Sequence, residues 1–301
     1  MRIIEYQKLK WVDICKPSEE DIKYLSENFD FHPLILEEIK TPTYHPLLTA
    51  YKTYLFWILH FPNMDSSNHN IQSVEIDFLI TKDAIITIRY QKFHDFEQIM
   101  QEIQDNPSSF MHKTAAHLFY YAIKKLFNAT FPELDKIKEE IDQCENKIFR
   151  SLDDKIIERI AYIKHRVLDF IRAFKPQKSV WDASLAIVLG FWGEERLKPY
   201  FTDLIADYSR ILYFAETHKE VIDSLHMTSS SLLDNKRNYV IKILTVFTAI
   251  ILPLSLLTSI YGMNIIHLPF AEHPMAFWWL LGGMTSVTVI MLFFFRRRNW
   301  I

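Results

Sequence analysis

Glycine and cysteine are both scarce in this chain, which has five glycines and two cysteines among its 301 residues. Few glycines beside many leucine, isoleucine and phenylalanine residues favour helices over a β architecture punctuated by glycine turns. Cys15 and Cys144 lie far apart and in no metal-ligand spacing, which argues against a disulfide framework and a cysteine zinc site. P-loop, dinucleotide-binding, HExxH and GxSxG motifs are also missing, so the sequence predicts no enzyme.

Positive charge is concentrated at the C-terminal end of the chain. The net charge is -3, but residues from 236 onward include six basic side chains and one acid, a balance of +5, so residues 1–235 carry -8. A nucleic-acid-binding domain more often has a basic surface, so no nucleic-acid partner is predicted, and an acidic domain suits a cation ligand better. The N-terminal MRIIEYQKLKWVD is too charged for the core of a signal peptide, which predicts a cytosolic N-terminus.

Two charge-free runs of 21 residues each, 243–263 and 275–295, lie near the C-terminus. Each is long enough to cross a hydrocarbon core of about 30 Å at a helical rise of about 1.5 Å per residue. Lysine and arginine lie before the first run and after the second, whereas the connector 264–274 has neither. The positive-inside rule therefore predicts a multi-pass protein of the plasma membrane (the cell's inner membrane) with both termini in the cytoplasm.

The predicted architecture is that of an α+β membrane protein, in which a long helix continues from a cytosolic α/β domain into the first of two spans. Six segments follow from it. They are a cytosolic α/β and helical domain (1–198), the cytosolic part of the long helix (199–239), the first span (240–263), an outer loop (264–274), the second span (275–295) and a basic cytosolic tail (296–301).

Caps, turns and periodicity predict the elements of the cytosolic part. Ser18 is a predicted N-cap, Pro33 a predicted helix start, and KDA (82–84) a predicted hairpin turn between two strands. YLFWILHF (54–61) fits either a buried strand or a short helix. A long helix begins at Pro199 and runs for about 60 residues. Four shorter helices, bounded by Pro107, Pro132 and Pro176, are predicted over roughly 95–105, 110–130, 132–175 and 177–195.

Along the first span, a stripe of residues recurs at intervals of three and four, which places it on one face of a helix. Hydroxyls and an amide on that face suit the lining of a pore, with apolar constrictions at Ile241 and Leu252 that gate by dewetting. Hydroxyls bonded back to their own helix are the structural alternative. Two spans cannot enclose a pore, so the pore requires a ring of subunits. The stripe consists of Asn238, Ile241, Thr245, Thr248, Leu252, Ser255 and Ser259.

The outer end of this span carries YGMN, residues 261–264, and no charge. We expect Gly262 to end the helix in a left-handed turn, and the last carbonyls to present the negative end of the helix dipole to the outer solution. Asn264 adds an amide oxygen beyond them. Such neutral oxygens suit Mg²⁺, which dehydrates reluctantly and keeps several waters.

These residues resemble the CorA-type magnesium channels. The resemblance rests on YGMN at the end of the first of two spans, and it extends to HPLILEEI near residue 32, strands that end in ITIRY, PYFTD at 199–203 and the tail RRRNWI. It implies a funnel-shaped homopentamer in the lipid bilayer, with Gly262, Met263 and Asn264 as the selectivity filter. It also places Asn238, Leu252 and Ser255 in the pore and makes Asp203, with Asp95 of a neighbouring subunit, a regulatory Mg²⁺ site. For Asp203 alone, an acid stabilised by a helix N-terminus is the alternative.

The segment after the motif departs from the family pattern. Where many members have an acidic MPEL-like segment, this chain has HLPFAEHP, in which Glu272 is the one acid and His267 and His273 lie nearby. This trio is a candidate metal site at the outer mouth, because histidine suits Zn²⁺, Co²⁺ or Ni²⁺. A transporter of one of those ions is therefore the first alternative to a Mg²⁺ channel. A non-conducting, membrane-tethered scaffold or sensor is the second, although the polar stripe and YGMN argue against it.

Overall fold

The computed structural model describes residues 1–63, 72–110, 114–148, 154–263, 273–298 and 300. They divide into two compact units, Met1–His226 and Met227–Ile301. Within the described residues the strands are β1 (Arg2–Tyr6), β2 (Leu9–Cys15), β3 (Leu47–Ala50), β4 (Leu55–Asn63), β5 (Gln72–Ile80) and β6 (Ala84–Arg89). The helices are α1 (Glu19–Asn28), α2 (Pro33–Glu38), α3 (His94–Asp105), α4 (Pro107–Phe110), α5 (Ala115–Ile148), α6 (Asp154–Phe174), α7 (Lys178–Trp192), α8 (Lys198–Tyr261) and α9 (Ala276–Arg297).

The six strands form one sheet in the order β1-β2-β6-β5-β4-β3. The pairing of β2 with β6 is parallel, and the other four pairings are antiparallel. The ambiguous segment 54–61 is a strand: all but the last residue of β4 are buried. Continuous burial of this kind is what a central strand covered on both faces requires, and it explains why no period of two was visible.

One face of the sheet packs against α1 and α2 in a core that includes Val12, Ile35 and Ile86. The other face is covered by aromatic side chains from three helices. The Trp57 ring on β4 lies 4.8 Å from the ring of Phe119 on α5 and 5.0 Å from that of Trp181 on α7, both measured between centroids. Phe201 stacks on the same indole at 6.4 Å, which fixes the first turns of α8 beneath the sheet.

The predicted caps and turns of the first ninety residues are confirmed. The Ser18 hydroxyl accepts from the Asp21 N–H, and the Asp21 carboxylate accepts from the Ser18 N–H, so α1 begins with a capping box. Pro33 occupies the first position of α2. The hairpin turn between β5 and β6 is closed by the Thr81 N–H, which donates to the Ala84 carbonyl at 2.9 Å.

The predicted break at Pro132 is wrong. Pro132 lies inside α5, which runs unbroken through the predicted boundary between helices 110–130 and 132–175. A proline removes one helical hydrogen bond, and burial of Leu126, Phe127 and Leu134 on the same helix outweighs that loss. The second of those predicted helices instead comprises the end of α5 and α6, with residues 149–153 outside the described part of the chain.

The long helix is confirmed: α8 has 64 residues and contains Pro253. It contains the boundary between the two compact units. Both α8 and α9 are long and apolar enough to cross a membrane. The limits predicted for the cytosolic, spanning and loop segments stay predictions.

Candidate ion-conduction and regulatory sites

The predicted stripe lies on one continuous helix, because α8 includes all seven of its residues. All seven are exposed in the single chain, whereas Val246 between them is buried. Large apolar side chains on other faces of the same helix are exposed as well, Phe247 and Leu244 among them. A helix that exposes both polar and apolar faces needs lipid or other protein chains to cover the apolar ones.

The threonines of the stripe combine two roles. The Thr245 hydroxyl donates to the Ile241 carbonyl at 2.8 Å, and the Thr248 hydroxyl donates to the Leu244 carbonyl at 2.8 Å. The structural alternative, back-bonding to the helix, is therefore present. It does not remove the oxygens from use, because a hydroxyl that donates its hydrogen keeps lone pairs that accept hydrogen bonds from water.

Pro253 interrupts the backbone hydrogen bonding of α8 next to the stripe. A proline has no N–H, so the Ala249 carbonyl lacks its usual helical donor. Ala249 and Pro253 line a shallow groove together with Thr245, Thr248 and Leu252. The polar character of this part of the helix therefore comes from a freed backbone carbonyl as well as from hydroxyl groups.

Gly262 follows the last residue of α8, but the expected left-handed turn is wrong: among the described glycines, Gly193 at the end of α7 has the positive φ, at 69°. Another feature favours glycine at 262. A Cβ there would lie 3.1 Å from the Thr258 carbonyl oxygen, which accepts the Gly262 N–H at 2.9 Å. Met263 follows with an N–H that donates to the Ile260 carbonyl at 3.3 Å. Asn264, the third residue of the predicted filter, lies outside the described residues.

The candidate trio at the outer mouth is described for His273 alone, since His267 and Glu272 lie outside the described residues. His273 Nδ1 accepts from the Met275 N–H at 3.2 Å, and its carbonyl accepts from the Ala276 N–H at 2.9 Å. Its ring stacks on Trp279 with centroids 4.5 Å apart. The ring is therefore held against the residue that precedes α9, and Nε2 is the nitrogen it has left for a metal.

Asp203, the predicted regulatory acid on α8, contacts two side chains of α5. Its Oδ2 atom lies 2.7 Å from Lys124 Nζ and accepts from the Tyr120 hydroxyl at 2.8 Å. The same ammonium lies 2.6 Å from Asp207 Oδ2, one helical turn further along α8. The hydrogen bond from Lys124 is the main reason that the pKa of Asp203 lies below its ordinary value, while burial and Asp203 raise the pKa of Tyr120 to about 12.

Asp95 differs from Asp203 in its surroundings and in the direction in which its pKa is shifted. It lies in the first turn of α3 and is partly buried, and burial raises the pKa of its carboxyl. The second influence on the pKa of Asp95 is His94, and Asp203 is not among the groups that shift this pKa. Within the part of the chain that the structure describes, no three His, Cys, Asp or Glu side chains converge into a metal site. The contacts of Asp203 and the groups that shift the pKa of Asp95 do not include the other predicted acid, so a site shared by the two stays a prediction.

The donor chemistry at both acids suits a hard divalent cation. Asp95 offers a carboxylate without an ammonium or guanidinium beside it, and Asp203 offers a carboxylate that is two-fifths exposed. Oxygen ligands of this kind are those that Mg²⁺ prefers. At Asp203, however, a metal ion has to share or replace the ammonium of Lys124.

A model of the family described as CorA-like Mg²⁺ transporter protein matches residues 6–297. The chain belongs to the CorA family. The cobalt/magnesium transport protein CorA of Thermotoga maritima is 26% identical over 292 residues, which are 97% of this chain and 83% of that protein. The CorA magnesium transporter structure from Methanocaldococcus jannaschii has a TM-score of 0.81 at 22% identity and covers 99% of this chain and 94% of that one. The full-length CmaX structure has a TM-score of 0.78 at 19% identity, with 97% and 89% covered.

Membership of the CorA family confirms the resemblance drawn from YGMN and from the two apolar runs. The match to full-length CorA confirms the α+β membrane fold, with its N-terminal α/β domain and the long helix that leads to a second apolar helix. The number of subunits, the pore lining, the filter and the regulatory acids stay predictions for this CorA-family chain.

Sequence reasoning missed Lys124, Tyr120 and Asp207. A signal was present, because Tyr120 and Lys124 are four residues apart, as are Asp203 and Asp207. Residues with this spacing share one face of a helix. Two hydrogen-bond donors on one helix and two acids on another can bind each other if the helices are adjacent. Nothing in the sequence shows that α5 and α8 are neighbours.

Proposed function

We propose that this CorA-family chain mediates Mg²⁺ influx across the plasma membrane, through a pore that several copies form together. The observation that carries the proposal is the exposed stripe of α8, which leads to Gly262 and Met263 at the end of that helix. Because one chain contributes only two apolar helices, a ring of chains is needed to enclose a channel. The family resemblance gives five as the number of copies.

Ion conduction follows from the oxygens along the stripe. Thr245 and Thr248 each satisfy an α8 carbonyl and keep lone pairs that accept from the waters around a cation. Ile241 and Leu252 lie on either side of the two threonines along the stripe and form the dewetting constrictions. At the outer end, Gly262, Met263 and Asn264 form the filter, where backbone and amide oxygens bind a hydrated Mg²⁺ without removing its water shell.

The membrane potential supplies the driving force. Both termini lie in the cytoplasm in this proposal, since basic residues flank both spans on the same side. A divalent cation that enters down a membrane potential of 100 mV, negative inside, gains about 4.6 kcal/mol, from about 2.3 kcal/mol per charge. No second ion gradient is required.

Cytosolic Mg²⁺ regulates the channel through Asp203 and through Asp95 of a neighbouring subunit. Mg²⁺ shared by these carboxylates holds subunits together and the pore closed. In support of this role, Asp95 is a partly buried acid with no basic residue paired to it in the described structure, so a cation from outside the chain relieves its burial.

Co²⁺ is the best supported alternative cargo, because relatives at 26% and 24% identity are named cobalt/magnesium transport proteins. Transport of Zn²⁺ or Ni²⁺ would depend on the outer histidines. Because His273 Nδ1 accepts from the Met275 N–H, that side chain has one nitrogen left for a metal. A non-conducting scaffold is disfavoured by the CorA-family match, which covers both apolar helices.

The test is ion uptake into proteoliposomes that hold the purified chain, with Mg²⁺, Co²⁺, Ni²⁺ and Zn²⁺ compared at one imposed potential. We expect Mg²⁺ uptake that rises with inside-negative potential and is lost in Asn264→Ala. Zn²⁺ uptake that exceeds Mg²⁺ uptake would reassign the cargo. Undiminished uptake in the Asn264→Ala variant would remove the filter role from the motif, and no uptake of any ion would favour the scaffold.

A further inference from the structure

Lys124 holds two carboxylates of α8 at once. Its ammonium lies 2.7 Å from Asp203 Oδ2 and 2.6 Å from Asp207 Oδ2, and both acids lie on the face of α8 that meets α5. The three residues belong to the compact unit Met1–His226. Arg210 Nη1 lies 3.6 Å from Asp207 Oδ1, so Asp207 has a second basic side chain beside it, whereas the Lys124 ammonium is shared by both acids.

The two carboxylates differ in their access to water. The Asp207 side chain is 4% exposed, that of Lys124 is 27% exposed, and that of Asp203 is 42% exposed. Burial makes an unpaired charge at Asp207 costly, whereas the charge of Asp203 is partly hydrated. The ammonium is thus anchored at Asp207, and its contact with Asp203 is the one that solvent and ions can replace.

Both contacts to Asp203 end on the same oxygen. The Tyr120 hydroxyl and the Lys124 ammonium share Oδ2. A divalent cation that binds this carboxylate comes close to an ammonium, and at any given separation a charge of +2 and a charge of +1 repel each other by about twice the energy of two unit charges. The ammonium has a place to withdraw to, because Asp207 still neutralises it.

We propose that Lys124 competes with the divalent cation for Asp203 and so sets the cation concentration at which this acid is bound. The proposal rests on the regulatory role given to Asp203 above. When the cation binds, Lys124 keeps Asp207 and gives up Asp203. When the cation leaves, the ammonium returns and stabilises the free carboxylate. Lys124 is a positioning residue in this scheme and touches no transported ion.

The alternative for the same contacts is a plain tether between α5 and α8. A tether and a competitor respond to mutation with opposite signs. Loss of a tether destabilises the chain and leaves the affinity of Asp203 for metal unchanged or weaker. Loss of a competitor strengthens metal binding.

The experiment measures the thermal unfolding midpoint of the full-length chain in detergent against Mg²⁺ concentration at constant ionic strength. Lys124→Gln should lower the half-saturating Mg²⁺ concentration at least about fivefold. Lys124→Arg keeps the charge and should stay near the wild-type value. The matched control is Lys125→Gln, the next residue of α5, whose ion pair with Glu102 at 3.2 Å is surface exposed.

Asp207→Asn provides a second variant, in case the first unfolds the chain. It removes the anchor, so Lys124 rests on Asp203 alone and more Mg²⁺ should be needed for half saturation. In the Lys124→Gln background the same change should have little effect, because the competitor is already gone.

The outcomes distinguish the competition by Lys124 from the regulatory role of Asp203 on which it rests. If the wild-type response to Mg²⁺ is unchanged in Asp203→Asn, the metal role of Asp203 fails and the competition fails with it. If Asp203→Asn removes the response but Lys124→Gln leaves half saturation unchanged or raises it, the regulatory acid stands and the competition by Lys124 is overturned.

Discussion

Arg89 Nη2 lies 2.6 Å from Asp13 Oδ2, across the parallel pairing of β6 with β2. Its Nε donates to Asp13 Oδ1 at 3.1 Å, so the ion pair is bidentate, and both side chains are at least 95% buried. On its other side the guanidinium lies 4.9 Å from the Phe96 ring centroid and 3.6 Å from Glu97 Oε1. The pair therefore joins the sheet to the start of α3, where Asp95 lies.

Asp13→Ala should destabilise the chain by about 3–5 kcal/mol, because it leaves a buried guanidinium without its partner. The urea dependence of unfolding of the full-length chain measures this. The matched control is Lys23→Ala, which breaks the exposed pair with Glu27 and should cost less than about 1 kcal/mol. A loss below 1 kcal/mol in Asp13→Ala would show that α3 is held in place by apolar packing alone.

Asp95→Asn should raise the stability of the metal-free chain and remove its stabilisation by Mg²⁺. Burial raises the pKa of Asp95, so its charged form is disfavoured in the fold, and this disadvantage grows as the pH rises through the folded pKa. At pH 7 the metal-free variant should therefore unfold at a slightly higher temperature than the wild type. Its stabilisation by Mg²⁺ should be lost, since the proposed ligand is gone.

Asp105→Asn is the control for this change, because Asp105 is an exposed acid at the other end of α3. It should leave the Mg²⁺ response unchanged. If Asp95→Asn retains the full response while Asp203→Asn loses it, the partner acid has been assigned wrongly and Asp203 binds metal with another residue.

Asp77 should make the stability of the unit Met1–His226 depend on pH. The side chain is buried on β5, and burial first and the neighbouring Glu75 second raise its pKa well above 3.8. The Tyr90 hydroxyl donates to Oδ2 at 2.7 Å, and Glu38 adds further negative charge nearby. An acid with a raised folded pKa contributes stability that is present at low pH and is lost as the pH rises through that pKa.

Asp77→Asn should remove this loss, since an amide keeps the acceptor for Tyr90 and carries no charge. The difference in unfolding midpoint between variant and wild type should grow from pH 4 to pH 8. Equal midpoint differences at both ends of the range would contradict the assignment. Glu27→Gln, at an exposed acid of α1, is the matched control.

Sequence alone predicted those elements whose signals are local. The N-cap of α1 at Ser18, the start of α2 and the turn after Thr81 each depend on residues within four positions of one another. The helix break at Pro132 was wrong because its cost is local, whereas the burial that outweighs it comes from the packing of α5 against other elements. Strands β2 and β3 were missed for another reason: β2 is buried along most of its length and so lacks an alternating pattern, and β3 has only four residues.

The same division applies to the sites. The stripe on α8 was visible because the helical period alone defines it. The left-handed turn predicted at Gly262 was wrong, because sequence alone does not distinguish a glycine in such a turn from a glycine close to a carbonyl. The contact of Lys124 with Asp203 joins α5 to α8 and exists only in the folded chain. Long-range ion pairs of this kind decide how freely an acid binds metal, and sequence spacing gives no measure of them.

The last prediction concerns the hydroxyl groups of the stripe. Thr245→Val and Thr248→Val together keep the shape of both side chains and remove the hydroxyl oxygens whose lone pairs accept from water in the proposed pore, so Mg²⁺ flux in proteoliposomes should fall at least about fivefold. Serine at both positions restores an oxygen and should restore most of the flux. Thr285→Val on α9 is the matched control, because its hydroxyl bonds back to the Leu281 carbonyl at the same 2.8 Å, outside the proposed pore. A similar loss in that control would show that the hydroxyls act on helix structure, and full flux in the double variant would place the conducting face of α8 elsewhere.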